Sequence, residues 1–137
     1  MRAVALSDLI TLHQKSGIGR LSAYCGAISA GCGAGAGIAY LLGGGYDAIS
    51  HTVVNAIAIL SGTICDGAKP SCAAKIAAAV DAGVLGYHMY LDHQEFLGGD
   101  GIVTRSVDET VQNVGRLARE GMRETDRTIL DIMLHGC

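Results

Sequence analysis

The chain has 137 residues, half of them hydrophobic, yet only 4% are aromatic, tryptophan is absent and there are 20 glycines; the formal net charge is −3. That length fits one domain with a modest core, and a core so poor in aromatics must gain its cohesion from close approach of small side chains. No basic stripe with interleaved aromatics is present, which argues against a nucleic-acid surface, and residues 1–14, with Arg2 and Asp8 and no small-residue cleavage site, do not read as a secretory leader.

Val4, Leu6, Leu9, Ile10 and Leu12 give the segment Arg2 to His13 a helical periodicity. No N-cap precedes it, so the helix is expected to belong to a longer upstream sequence. Ser16-Gly17-Ile18-Gly19 is expected to break it. A Gly/Ala-rich helix follows from about Leu21 to Leu42 and ends at Gly43-Gly44-Gly45. Asp47 is a cap for the next helix, which runs to about Ile64, and Cys65-Asp66-Gly67 closes it. Pro70, the single proline, suits the first position of a third helix to about Tyr87.

Beyond a loop centred on Gly98-Gly99-Asp100-Gly101, Ser106-Val107-Asp108-Glu109 forms a capping box. It opens a helix with Val107, Val111, Val114 and Ala118 on one face, and a last helix from about Arg123 to Leu134 is expected to bury Ile129, Ile132 and Met133. There is no β pattern and no internal repeat. The fold expected is all-α, a single domain over 1–137, with about six helices around a buried Gly/Ala-rich helical hairpin. The stretches without Asp, Glu, Lys or Arg, Leu21 to Tyr46 and Ala48 to Cys65, supply the core, and the charge-dense last third is its solvent-facing cover.

Residues 21–46 are also long enough to span a bilayer, with GxxxG pairs at Gly31/Gly35 and Gly33/Gly37. A small membrane protein with two Gly/Ala-rich spans is therefore an alternative. Against it, small side chains gain little on transfer to lipid, and the second run carries Asp47, His51 and Asn55. Two buried helices of a soluble protein are the favoured reading.

With the hairpin turning at Gly44, Cys25 lies 19 residues before the turn and Cys65 lies 21 after it. At helical rise these distances are about 28 and 31 Å, so both thiols reach the same end. Cys72 follows across a tight Asp-Gly turn, in the first turn of the third helix, where the helix dipole and Lys69 supply the positive potential that suits thiolates. Cys32 is two turns beyond Cys25 and reads as a small buried hydrophobe; Cys137 reads as a free terminal thiol. Spacing alone leaves open whether the trio holds a metal centre or is three buried structural thiols. Zinc with a fourth histidine is a third option, without a CxxC or HxxxH pair to support it. Five cysteines without a leader favour a reducing, cytoplasmic setting.

The stretch Gly62-Thr63-Ile64-Cys65-Asp66-Gly67-Ala68-Lys69-Pro70-Ser71-Cys72-Ala73 resembles the cluster motif of L-cysteine desulfidases and, more distantly, of the alpha chain of iron–sulfur L-serine dehydratase. Ile18-Gly19-Arg20-Leu21-Ser22-Ala23-Tyr24-Cys25-Gly26 is similar to the segment carrying the first ligand. Asp100-Gly101-Ile102-Val103, Glu120-Gly121-Met122, Thr125-Asp126 and Ile129-Leu130 are similar to the family's C-terminal end.

The resemblance implies a 4Fe-4S cluster on Cys25, Cys65 and Cys72, with one iron open as a Lewis acid toward the β-thiol or β-hydroxyl of a small amino-acid substrate. A base takes the α-proton, sulfide or water leaves, and the aminoacrylate hydrolyses to pyruvate and ammonia. The seven-residue Cys65–Cys72 spacing favours the desulfidase branch. Whole single-chain members are several hundred residues long, so the resemblance implies the C-terminal portion of the family domain. The base is then expected outside this chain, supplied by a missing N-terminal part or a partner subunit. A non-catalytic subunit is the remaining alternative. A homo-oligomer is expected, with no nucleic acid and no membrane as partners.

Lys69, Ser71 and the free N–H groups of the third helix are candidates to grip a substrate carboxylate, a role compatible with ordinary capping. His51, His88 and His93 lie too far along their helices to reach the thiols and read as structural or solvated, and His13 has a weak claim. Asn55, in an apolar helix, needs a partner.

Overall fold

The computed structural model describes residues 1–136; Cys137 lies outside them, and with it the reading of that thiol. Six α-helices make the fold: α1 (Arg2–Ile18), α2 (Gly26–Leu41), α3 (Tyr46–Leu60), α4 (Ser71–Leu91), α5 (Val107–Arg116) and α6 (Arg123–His135), with a π-helical turn at Leu117–Gly121 between the last two. No strand occurs among the described residues, and one isolated antiparallel bridge joins Tyr24 to Ile64.

The centre of the bundle is α2, which packs against α1, α3 and α4. Its glycines explain how three helices come so close. A methyl on Gly35 would stand 2.7 Å from Gly83 Cα of α4, and one on Gly31 would strike Ala79 of the same helix. On the other side, a methyl on Gly37 would meet the Ala3 carbonyl of α1 at 3.0 Å, and one on Gly33 would strike Ser7 and Thr11. The two GxxxG faces are thus both used inside the chain. Among the described residues no helix is long and apolar enough to cross a membrane, so the two-span reading is not supported. Ile28, Cys32 and Ala36 of α2 join Ile18, Val53, Ile57, Val111 and Val114 in the core.

Several boundaries differ from expectation for local reasons. Gly17 does not break α1; its missing side chain lets α5 approach at Gly115, and α1 stops at Gly19 with φ 92°. Residues 21–25 are not helical. Ser22 Oγ accepts the Tyr24 N–H at 3.1 Å and donates to the Ala118 carbonyl at 3.1 Å, which offers the backbone an alternative to the helix. Asp47 sits in the first turn of α3 rather than capping it. That helix ends at Leu60, where Ser61 and a left-handed Gly62 turn the chain into the bridge, four residues earlier than expected. Pro70 stands at the cap of α4, and that helix runs one turn past Tyr87. The Ser106 cap forms, with its hydroxyl accepting the Glu109 N–H at 3.4 Å.

The expectation for α6 is overturned. Ile132 and Met133 are 60% and 58% exposed, and Leu130 and Leu134 are exposed with them; only Ile129 packs on the core. The π-helical turn redirects the chain so that α6 contacts that turn and no other helix.

Candidate functional site: a pole of three thiols

The α2–α3 hairpin delivers its two ends to one pole, where the Tyr24–Ile64 bridge ties them. The Cys25 N–H donates to the Thr63 carbonyl at 3.0 Å, and the Cys65 N–H donates to the Ala23 carbonyl at 2.5 Å. Cys25 and Cys65 each follow a residue of the bridging pair, and side chains alternate along extended backbone, so the two cysteines share one face. Cys25 is buried at the mouth of α2, whereas Cys65 and Cys72 are half-buried, and all three are free thiols. Cys72 Sγ lies 3.6 Å from the Gly67 carbonyl, which folds the first turn of α4 back over the Asp66-Gly67 turn.

Lys75, one turn into α4, completes this pole. Its ammonium donates to the Ile64 carbonyl at 2.8 Å and to Asp66 at 3.0 Å. The Asp66 bond holds Lys75 above its ordinary range against partial desolvation, and the charges of Asp66, Cys25 and Cys72 add to that pull. Asp66 also pairs with Lys69. Those two lysines hold its carboxyl down at about 2, well below the usual carboxylate range. Lys15 of α1 brings a third ammonium, beside Gly26 and next to Cys25.

Of the residues read for substrate recognition, Lys69 is engaged with Asp66, and Ser71 is exposed. The Cys72 and Ala73 N–H groups bond the Lys69 and Pro70 carbonyls at 2.9 and 3.2 Å. Sequence reasoning missed Lys15 and Lys75. The spacing Cys72-x-x-Lys75, one helical turn, was the available signal for the second.

Cys32 stays apart in the core, and burial pushes its thiol up to about 12 against the opposing pull of the Gln14 amide. Burial likewise pushes the Tyr24 phenol far above its ordinary range, with Cys32 and Cys25 acting in the same sense. His13 Nε2 reaches Asp108 at 3.1 Å on the surface. His51, in the first half of α3, pairs with Glu95, and the opposite end of that helix leads to Cys65.

No three His, Cys, Asp or Glu side chains among the described residues close on a point suited to a single metal ion. A multi-iron cluster spreads its ligands more widely than one ion does. The relevant fit is therefore the donor set: three free thiols on one pole, flanked by ammonium groups that offset thiolate charge. By that measure Cys25, Cys65 and Cys72 fit the group.

The fold and this pole define an all-helical domain with a thiol-rich end. The chain belongs to the serine dehydratase alpha chain family, which it matches over residues 1–131. It is 66% identical over 136 residues to a UPF0597 protein of Desulfitobacterium hafniense, covering 99% of this chain and 32% of the relative. A UPF0597 protein of Lachnoclostridium phytofermentans is 55% identical over 135 residues, covering 98% and 32%. One of Treponema denticola is 46% identical over 134 residues, covering 98% and 31%. The chain thus spans about a third of the length of the curated relatives it matches. No solved structure matches it.

Proposed function

We propose that this chain is the cluster-holding part of a cytoplasmic lyase. The reaction is β-elimination from L-cysteine or L-serine, yielding pyruvate, ammonia and sulfide or water. The observation that carries the reading is the shared face of Cys25 and Cys65 beside Cys72 and Lys75, in a member of the serine dehydratase alpha chain family. Bound there, a 4Fe-4S cluster with one open iron supplies a Lewis acid for the leaving group.

The residues of this chain do the holding. Cys25 forms the floor, Cys65 and Cys72 the rim, and Lys75 offsets charge while tying the Ile64 strand to α4. Lys69, once released from Asp66, and Ser71 orient the substrate carboxylate at the open side.

The chain works with the other two thirds of a family-length polypeptide, in the same chain or as a partner subunit, and that part supplies the base. Leu9 and Leu12 of α1 and Leu130, Met133 and Leu134 of α6 are exposed, an apolar area of the kind that a missing structural layer covers. A homo-oligomer forms through whatever part of these faces that layer leaves free.

Anaerobic reconstitution with iron and sulfide tests the reading. Visible charge-transfer absorbance and bound iron are expected, and Cys25→Ala, Cys65→Ala and Cys72→Ala should each remove both. Retention of wild-type iron by all three variants refutes it. Addition of the remaining two thirds of a relative in trans should then yield pyruvate from L-cysteine or L-serine. Iron binding without pyruvate from either amino acid leaves the second reading, a non-catalytic subunit.

A further inference from the structure

A cleft of about 490 Å³ opens at the far end of α3, between its first turns and the 92–106 loop. His51, on its wall, lies nine residues before the end of α3 at Leu60, about 14 Å along the helix, and Cys65 lies beyond that end, so the cleft is separate from the thiol pole. Its volume is that of a small-molecule site.

The walls are fixed. Asn55, fully buried, donates from Nδ2 to the Gly86 carbonyl at 3.1 Å, and its Oδ1 accepts the Phe96 N–H at 3.2 Å, which ties the loop to α3 and α4 at once. Downstream, the Thr104 N–H donates to Thr110 Oγ1 at 3.1 Å, which ties the loop to α5. Gly98 lies so close to Arg105 that a methyl there would meet the Arg105 nitrogen at 2.9 Å.

The polar groups within are of two kinds. His51 and Glu95 are paired through Nδ1, and the imidazole stacks on Tyr90 with ring centroids 5.5 Å apart, so the ring is held in place. Asp47 and Arg105 line the same cleft, and neither has an oppositely charged side chain within 4.0 Å among the described residues. One unpaired carboxylate and one unpaired guanidinium in a preformed cleft complement a ligand carrying both charges. Ser50 adds a hydroxyl, and Val54 and Leu97 an apolar lining for a short side chain.

We propose that this cleft is a second binding site, for a small zwitterionic α-amino acid whose carboxylate meets Arg105 and whose ammonium meets Asp47. It takes no part in the elimination and stands whether or not the thiols hold a cluster. The test uses the full chain without cluster and L-alanine, which has no β-leaving group. Calorimetry should show saturable binding, and heteronuclear NMR should shift the amides of Ser50, Gly98 and Arg105. Asp47→Asn and Arg105→Gln should each weaken it by about tenfold or more, since each removes a charge-assisted bond.

Acetate and methylammonium, with one charge each, should bind more weakly than alanine by a similar factor. A Cys65→Ala, Cys72→Ala double variant should bind alanine as the parent does. Absence of saturable shifts at those amides, affinity unaltered in both charge variants, or shifts confined to the Cys72–Lys75 turn would each overturn the proposal. Acetate binding as tightly as alanine would overturn it too, in favour of a plain anion site. Unchanged circular dichroism and melting midpoints show that the variants are folded.

Discussion

Cys25 and Cys65 are diagonal neighbours across the Tyr24–Ile64 bridge: Cys25 stands opposite Thr63 and Cys65 opposite Ala23, each bonded through its N–H. Diagonal positions of an antiparallel pair are roughly 7–8 Å apart, still within mutual reach of side chains. That separation is wide for a single ion and suits a multi-iron centre. Cys32 lies on α2 outside this bridge and buried. Cys32→Ala should therefore bind as much iron as the parent, whereas Cys65→Ala should not. Iron content after desalting checks both, and an equal loss in the two variants would contradict the assignment.

Lys75 joins three parts of the pole at once: the Ile64 carbonyl, the Asp66 side chain and the electrostatic environment of Cys25 and Cys72. Lys69 holds only Asp66 and is more exposed. Lys75→Met keeps the aliphatic stem and removes the charge, so it should lose bound iron faster than the parent under a mild chelator. Lys69→Met should lose it at close to the parental rate. The time course of chelator-induced bleaching distinguishes them.

The hairpin was legible because helical rise is regular: α2 has 16 residues and α3 has 15, so the two arms end near one level. The bridge that joins the ends was not. It depends on Ser22, whose hydroxyl bonds the Tyr24 N–H and the Ala118 carbonyl, a partner 96 residues away that no local pattern reveals. The role of Lys75 was not legible because it depends on where the Ile64 carbonyl stands, which the bridge to Tyr24 sets and no local pattern states. For α6, periodicity correctly indicated an apolar stripe, but a stripe does not state what covers it. In this chain Ile132 and Met133 have no helix to face.

The Gly35–Gly83 contact makes a stability prediction. A methyl at Gly35 would lie 2.7 Å from Gly83 Cα and 2.9 Å from its carbonyl carbon, all backbone that cannot swing aside. Alanine normally favours a helix over glycine by about 1 kcal/mol. Overpacking a close contact costs typically about 1–3 kcal/mol, and here both surfaces are rigid. The packing cost should win, so Gly35→Ala should lower the urea midpoint, with α2 and α4 forced apart. Ala34→Gly, on the same helix but only half-buried, should cost no more than the ordinary helix propensity difference.

Alkaline titration probes Cys32. Its folded thiol is pushed up to about 12 by burial, above the ordinary value near 9. The protonated form is the one the fold accommodates, so this contribution is fully present below about pH 9, where thiols in unfolded chains remain protonated. It falls away as pH rises toward 12, because the unfolded chain loses the proton first. Comparison with Cys32→Ala isolates the effect from the other groups that titrate there. The alanine variant gives up some packing at neutral pH, so it should begin less stable than the parent, and the gap should narrow between pH 9 and 12. Native-state alkylation should agree, with Cys65 and Cys72 modified well before Cys32 at neutral pH because both are partly exposed. A stability gap that stays constant across that range, or a Cys32 that reacts as fast as Cys72 in the folded chain, would mean that the thiol is not held in a closed core.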